Sequence, residues 1–390
     1  MRMPVMSAYR LPFIIERPRR PGGAGAGGAM AAGAVPGGAA AGAGADGRAG
    51  AARIGWLDTA RGLGIILVVI GHALGGIIDS PLGTGLDPFR RAFFAIYTFH
   101  MPLFFVLSGL LVGARIGRGA RPFLSGLLAT VVWPYFLWSA VQFGVICALG
   151  SLVNHPGANW LTTVLALPWK TVSQFWFLYV LFWLHVIAVT VLPRFGREGL
   201  VLLGLAAKAL AVIVPLQPPL KFVLVNLLWY AIGVWLTPEG LRRLVVGQPL
   251  AVRAAVLPAL AGATIGATLL AVGQYGPDLP LATAGSAQIA NLAWRLPVLA
   301  AAIFGLLAVV GLASVAGRAS GPLAQIGRLT MPIFVLHVLF IAGARIVLTE
   351  LGLITDPAAL LALLVLAGVA GPLLVERALR PLRLQRWLGF

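Results

Sequence analysis

The sequence predicts an all-α, polytopic membrane protein. Of its 390 residues, 59% are hydrophobic and only 10% are charged, and the mean hydropathy is +0.95. A soluble domain carries about 25% charged residues. From Gly62 onward, apolar runs of about 20 residues recur, which is the length that a helix needs to cross a bilayer. The short segments of alternating polarity that a membrane β-barrel requires are absent from the sequence.

The apolar runs predict about ten transmembrane helices. Their approximate ranges are 60–79, 90–114, 123–149, 173–193, 199–215, 220–237, 254–273, 290–314, 329–349 and 357–375. Most of the 29 lysines and arginines precede the first span or fall in every second loop after it. Cytoplasmic loops carry an excess of these residues, so both termini are predicted to lie in the cytoplasm, with the protein in the cytoplasmic (inner) cell membrane.

The N-terminal 52 residues differ in composition from the rest of the chain. Residues 1–52 are rich in Gly, Ala and Pro with scattered arginines, which predicts a disordered cytoplasmic tail before a transmembrane domain over 53–390. The net charge of +18 would suggest a nucleic-acid partner in a soluble protein. Here the positive charges lie between membrane spans, so they set orientation in the bilayer and no nucleic-acid partner is expected.

The first span carries three polar residues on one face. Asp58 and Arg61 precede its long apolar run, and His72 lies within the run. Arg61 and His72 are eleven residues apart, which is about three helical turns or about 16 Å along the helix axis. A residue that can take a proton is rare inside a membrane span and is a functional candidate for that reason. The alternative is a packed histidine that bonds a backbone carbonyl.

The second span contains a helix-disrupting proline beside further polar residues. His100 lies two residues before Pro102, which predicts a kink or a break in the helix. Broken membrane helices usually line a cavity or a site buried in protein. Farther along the span, Ser108 and Gly109 could instead permit two helices to approach closely.

Basic residues within or beside the spans are candidates for binding an anion. Lys208, Arg295 and Arg345 lie within spans that lack an obvious carboxylate partner, which leaves two interpretations. They could bind an anionic ligand such as a phosphate, or they could extend to the nearer headgroup layer, which is harder for the mid-span Lys208. The loop after the second span holds three arginines at a spacing of three, Arg115, Arg118 and Arg121. Arginine matches phosphate geometry, although a simple positive cytoplasmic loop explains the same pattern.

Two later spans add further site candidates. Trp176 opens the fourth span, where aromatic residues usually form an interfacial belt. His185 follows inside that span and is expected to be packed, and His337 lies in the ninth span. No span holds two ligand residues at the spacing of a metal motif, so we predict no metal site.

Several of these stretches together resemble the integral-membrane acyltransferase 3 family, which includes sugar and polysaccharide O-acetylases. The resemblance extends over residues 54–342. It is carried by Asp58-x-x-Arg61-Gly62 with His72, Phe99-His100-Met101-Pro102-Leu103-Phe104-Phe105-x-x-Ser108-Gly109, Pro134-Tyr135, Trp176-Phe177-Leu178, and Gly327 through Met331 with His337.

This resemblance implies transfer of an acyl group, usually acetyl, from cytoplasmic acyl-CoA to a hydroxyl of a carbohydrate or glycolipid. Acyl-CoA would be a substrate, with no permanently bound cofactor. Arg61 and His72 carry over as the functional arginine and histidine. Arginines near the third span are associated with handling acyl-CoA, and here Arg115, Arg118 and Arg121 are the candidates. Candidates for the substrate site are His100, Ser108, Trp176, Lys208 and His337.

Acyl transfer to a hydroxyl needs a base for the attacking proton and donors for the developing oxyanion. A histidine is the usual base, which points to His72. Arg61 would orient the site or bind a CoA phosphate, and Asp58 would hold Arg61 in an ion pair. Direct transfer is favoured here, with a covalent acyl-enzyme on His72 or Ser108 as the alternative.

Two other classes of function are compatible with the composition. A secondary transporter or flippase for a lipid-linked sugar would also have about ten spans, prolines and cations within the membrane. Against it, the two halves show no internal repeat, and the Asp58, Arg61 and His72 spacing has no rationale in transport. A membrane protein that only binds a partner is the third class.

Overall fold

The computed structural model describes residues 42–83, 85–154, 159–276 and 295–390. Within these ranges the chain forms helices and no strand, which confirms the all-α prediction. The α-helices are α1 (Gly42–Ile78), α2 (Asp87–Ile116), α3 (Ala120–Leu127), α4 (Trp133–Leu149), α5 (Trp160–Ala166), α6 (Trp176–Ile213), α7 (Pro218–Leu241), α8 (Leu250–Tyr275), α9 (Leu296–Val315), α10 (Ser320–Arg328), α11 (Thr330–Glu350), α12 (Pro357–Leu379) and α13 (Gln385–Leu388).

The described residues contain nine helical segments that are long and apolar enough to cross a membrane. Eight of them have the length of one crossing, from 20 to 30 residues. The remaining segment, Ser173–Ile213, has 41 residues. A straight helix of that length would extend about 62 Å, which is twice the thickness of the hydrocarbon core. Its backbone leaves helical geometry at Gly196 (φ 68°, ψ −168°), a conformation that glycine adopts readily.

The two parts of α6 on either side of Gly196 run in opposite directions along α7. In the first part, Trp176 packs on Phe222 with ring centroids 4.8 Å apart, and His185 packs on Tyr230 at 5.4 Å. Residue numbers therefore increase together in this part of α6 and in α7, so the two helices are parallel.

In the second part of α6 the pairing is reversed. Glu198 and Trp235 line one groove, and Gly204 packs on the backbone of Leu228. Residue numbers rise in this second part of α6 as they fall in α7, so the two helices are antiparallel here. The 41-residue segment is therefore a hairpin of two crossings, which agrees with the separate predicted spans 173–193 and 199–215. Counted this way, the nine segments of the described residues make ten crossings.

Two glycines allow the backbones of α2 and α7 to pack closely against each other. A Cβ atom on Gly109 would lie 2.2 Å from the carbonyl oxygen of Tyr230, and one on Gly233 would lie 2.1 Å from the carbonyl oxygen of Val106. No side chain fits at either position. Gly109 therefore permits close helix approach, which is the structural interpretation that the sequence offered for it.

Pro102 does not break α2, so that part of the prediction is wrong. The helix is continuous from Asp87 to Ile116, with Pro102 buried inside it. Packing against neighbouring helices compensates for the lost backbone hydrogen bond in a membrane helix. An interruption does precede Pro134, where residues 128–132 form a π-helical turn between α3 and α4.

Two of the predictions fall partly outside the described residues. Residues 1–41 of the predicted tail lie there, and α1 begins at Gly42, before the predicted boundary at residue 53. The domain division therefore stays a prediction. The start of the predicted span 290–314 also lies outside, and α9 begins at Leu296.

Candidate functional site

An ion cluster lies near the start of the membrane-spanning part of α1. Asp58 is only 7% exposed. One of its carboxylate oxygens, Oδ1, lies 3.6 Å from Nη1 of Arg61, one turn along the same helix. The other, Oδ2, lies 3.7 Å from Nη1 of Arg328 at the end of α10. A buried carboxylate thus holds two guanidinium groups from different helices.

The second guanidinium reaches Asp58 because α1 and α10 touch through two glycines. A Cβ atom on Gly327 would lie 1.8 Å from the carbonyl oxygen of Asp58, and one on Gly62 would lie 2.0 Å from the carbonyl oxygen of Leu323. Arg328 was not among the site residues predicted from the sequence. The signal was present, because Arg328 immediately follows Gly327 in a stretch that carried the family resemblance.

We expect Asp58 and Arg328 to be energetically coupled. Asp58→Asn leaves two arginines without a counter-charge, whereas Arg328→Gln leaves Asp58 with Arg61. The double variant should therefore lose less stability than the two single losses added together, with a coupling energy of about 1 kcal/mol or more. Apparent melting temperatures of the purified protein in one detergent measure the cycle. Pairing Asp58→Asn with Arg121→Gln provides the control, and strict additivity of the Asp58 and Arg328 losses would contradict the contact.

His72 occupies a second cluster, about 16 Å farther along α1. Its ring packs edge-on against that of His337 from α11, with centroids 4.9 Å apart, and lies 6.2 Å from that of Tyr97 on α2. His100 packs on the same tyrosine at 4.8 Å. His72 stays partly exposed whereas His100 and His337 are buried. Among the described residues, no group of three or more potential ligands is arranged to hold a metal ion.

The two buried histidines of this cluster have their orientation fixed by backbone carbonyls. Nδ1 of His100 donates to the carbonyl of Ile96 at 2.7 Å. Nδ1 of His337 lies 3.0 Å and 2.8 Å from the carbonyls of Ile333 and Phe334. A carbonyl only accepts, so Nδ1 carries the proton in each ring and Nε2 carries the lone pair when the ring is neutral.

Tyr97, in the cluster around His72, was not among the site residues predicted from the sequence. It is buried and stacks on Phe93 with ring centroids 3.9 Å apart. Tyr97 lies three residues before His100, which places both side chains on one face of α2. This spacing could have identified it from the sequence. In the described part of the chain, the rings packed on His72 are those of Tyr97 and His337, and of these Tyr97 carries a hydroxyl donor.

Of the three arginines after the second span, Arg115 alone is partly buried, and it lies at the end of α2. Arg118 is exposed, and its Nε donates to the carbonyl of Ala114 at 3.3 Å. Arg121 is exposed as well.

Two other site candidates lie away from His72. Ser108 is partly buried on α2 and lies eleven residues, or about 16 Å, beyond Tyr97 along the helix. Because Phe104 packs opposite Gly64, Ser108 is at the level of Arg61. Trp176 is buried against Phe222 and Phe105, so its ring packs inside the protein, and its role in the substrate site stays a prediction.

Of the three cations predicted within spans, Arg295 lies outside one because it immediately precedes α9, and all three have different surroundings. Lys208 is 8% exposed, its Nζ has no hydrogen-bond partner in the described part of the chain, and it lies 5.7 Å from the ring centre of Trp229 on α7. This places it apart from His72, whose ring contacts come from α2 and α11. Arg295 is exposed and lies over the ring of Tyr275. Arg345 is buried beside Gly76, one turn beyond His72 on α1.

Comparison with known proteins agrees with the resemblance carried by these stretches. The acyltransferase domain model of the acyltransferase 3 family matches residues 54–377, which is most of the chain. The nodulation protein NolL from Mesorhizobium japonicum is 31% identical over 173 residues. That alignment covers 42% of this chain and 43% of the relative, so it spans less than half of each protein. No solved structure matches this chain.

The family match includes both clusters described above, from Asp58 in α1 to His337 in α11. It also includes all the described membrane-spanning helices except the last residues of α12. The chain has nine helical segments that could cross a membrane in its described residues, and it belongs to the acyltransferase 3 family.

Proposed function

We propose that the protein transfers an acyl group, most simply acetyl, from cytoplasmic acyl-CoA to a hydroxyl of a carbohydrate or glycolipid. The observation that supports this most is the arrangement on α1. One helix face carries Arg61 in an ion cluster at the membrane end and His72 among aromatic and imidazole rings about 16 Å deeper. An anionic donor and a deep acceptor hydroxyl could meet along such a face.

The donor's phosphates would bind at the end of the bundle that holds Arg61. Arg115 is partly buried at the end of α2, and its positive charge would add to the attraction for an anion there. Guanidinium groups form paired hydrogen bonds with phosphate oxygens. Asp58 would hold Arg61 in place, and Arg328 would in turn hold Asp58. The basic loops of the sequence predict that this end lies in the cytoplasm, where acyl-CoA is available.

The acyl-pantetheine arm would then extend along α1 toward His72. Two residues on the same face of α1 separate Arg61 from His72, namely Ile65 and Val68, and both are buried in the apolar core. The arm therefore reaches His72 only when the helices around these two side chains separate. The side chains of Ile65 and Val68 are apolar and form no hydrogen bond or ion pair, so a flexible thioester arm can displace them.

In the reaction, His72 accepts the proton of the acceptor hydroxyl as the oxygen attacks the thioester carbonyl. A carbon–oxygen bond forms, the carbon–sulfur bond breaks, and the proton passes from His72 to the departing thiolate. The phenol of Tyr97 is a candidate donor to the developing oxyanion. His72 suits the base role because its side chain is partly exposed, whereas the neighbouring histidines are buried.

Phosphate recognition by Arg115 predicts a donor-specific defect. Arg115→Gln should raise the KM for acetyl-CoA by about 10-fold, because a charge-assisted hydrogen bond to phosphate contributes about 1.5–3 kcal/mol. The same variant should leave KM unchanged for acetyl-pantetheine, which lacks the phosphates. Initial rates with the two donors measure the difference.

Arg121→Gln is the matched control because it removes the same charge from a nearby arginine that is exposed. It should change KM for acetyl-CoA by less than about 2-fold, as expected of a surface charge. Equal effects of the Arg115 and Arg121 substitutions would mean that the loop acts only through its overall charge.

A further inference from the structure

A buried nitrogen beside His72 has no assigned partner. Nε2 of His337 is inaccessible and makes no hydrogen bond in the described part of the chain. The residue as a whole is 0% exposed. A buried polar atom without a partner costs about 1–3 kcal/mol, so its retention calls for a specific explanation.

The chemical state of this nitrogen follows from the other side of the ring. Nδ1 of His337 lies within hydrogen-bonding distance of two backbone carbonyls, those of Ile333 and Phe334. Both carbonyls are acceptors, so Nδ1 carries hydrogen in either protonation state. In the neutral ring Nε2 is therefore an acceptor only, and its orientation is fixed by α11 rather than by a mobile side-chain contact.

The ring of His72 packs against His337 and carries an N–H group that can donate to Nε2 of His337. The two ring centroids are 4.9 Å apart. When two imidazoles share an N–H···N bond, the nitrogens lie about 2.9 Å apart and each lies about 1.1 Å from its ring centre, so the centroids lie about 5 Å apart. The observed separation therefore permits this bond after a rotation of the partly exposed His72 ring, without movement of either helix.

We propose that His337 is a positioning residue that accepts a hydrogen bond from His72 through Nε2. This bond fixes the tautomer of His72, so that its other nitrogen presents a lone pair to the acceptor hydroxyl. After His72 takes the proton, the same bond stabilises the imidazolium. The role rests on the proposed function of His72 as the base. His337 would thus orient His72 as the carboxylate of a serine-type triad orients its histidine.

Three substitutions separate this role from simple packing. His337→Gln keeps an acceptor oxygen near the position of Nε2. His337→Phe fills the volume without an acceptor, and His337→Asn keeps only the group near Nδ1. We expect His337→Gln to retain kcat within about 5-fold, and the other two to lose kcat by about 30-fold or more at unchanged KM for the donor. Equal losses in all three, in proportion to a fall in melting temperature, would overturn the proposal.

A second measurement does not depend on acyl transfer. Diethyl pyrocarbonate acylates the unprotonated nitrogen of an imidazole, and mass spectrometry of the peptide that contains His72 follows its rate in detergent. His337→Phe should slow this modification of His72 by about 5-fold, and His337→Gln should restore it, because only the latter supplies an acceptor. An unchanged rate in His337→Phe would overturn the proposal.

His185→Phe is the matched control for the labelling. His185 makes the same type of bond from Nδ1, to the carbonyl of Leu181 at 2.6 Å, but packs on Phe123 and Tyr230. The His185→Phe substitution should leave the rate of His72 modification unchanged. The two proposals can also fail separately. If acyl-CoA is not a donor but the labelling pattern holds, the His72–His337 pairing stands and only the proposed reaction falls.

Discussion

Replacement of His72 by glutamine should lower kcat for acyl transfer by about 10²–10⁴-fold, the usual contribution of a general base. Glutamine keeps polarity and approximate size, but it cannot take a proton at neutral pH. His72 is the partly exposed member of a cluster whose other histidines are buried. Binding of acyl-CoA should persist, because the donor's phosphates would be held about 16 Å away at Arg61. Steady-state kinetics and calorimetric titration with CoA measure the two effects.

The control for this prediction is His185→Gln. His185 lies in α6 and contacts Phe123 and Tyr230, so its loss should alter kcat by less than about 3-fold, a packing effect. If His72→Gln retains most of the wild-type kcat, then His72 is not the base. A loss of CoA binding together with kcat would instead indicate a disrupted fold.

The second large effect is expected at Gly327. Its missing side chain lets α10 touch the backbone of α1, where a Cβ atom would lie 1.8 Å from the carbonyl oxygen of Asp58. Backbone atoms cannot rotate aside, so Gly327→Ala must push the two helices apart. Overpacking of this kind costs about 1–3 kcal/mol, and here it also separates Arg328 from Asp58. We expect a lower melting temperature and at least a 10-fold loss of acyl transfer.

Gly321→Ala is a control in the same short helix. No atom lies within 4 Å of a Cβ atom built on Gly321, so the added methyl group meets open space. Its melting temperature and activity should match the wild type, since alanine is the better helix former. If Gly327→Ala behaves like Gly321→Ala, the close contact between α1 and α10 is wrong, and so is the origin of the Asp58–Arg328 pair.

The sequence predicts much of this fold because membrane helices follow from local composition. Apolar length marked the spans, and even the hairpin within α6 was predicted as two spans, since Arg194 and Arg197 interrupt the apolar run around Gly196. The predicted break at Pro102 in α2 was wrong, because the effect of a proline on a helix depends on how the neighbouring helices pack. A proline-containing helix stays continuous where close packing, as at Gly109, supports it.

The site was predictable only within each helix. Asp58 and Arg61 are one turn apart, so their ion pair could be expected from spacing alone. The partners Arg328 and His337 come from helices more than 250 residues later in the chain, and no local pattern specifies which helices become neighbours. Spacing also could not show that Arg115 is partly buried while Arg121 is exposed.

The most direct test follows the acyl group itself. Membranes that contain the wild-type protein or His72→Ala receive acetyl-CoA labelled in its acetyl group, with the host's own glycans as acceptors. We predict label in the carbohydrate fraction, released by mild alkali as an ester should be, and dependent on His72. If glycans are exported normally but remain unlabelled with every acyl-CoA supplied, the proposed reaction is wrong.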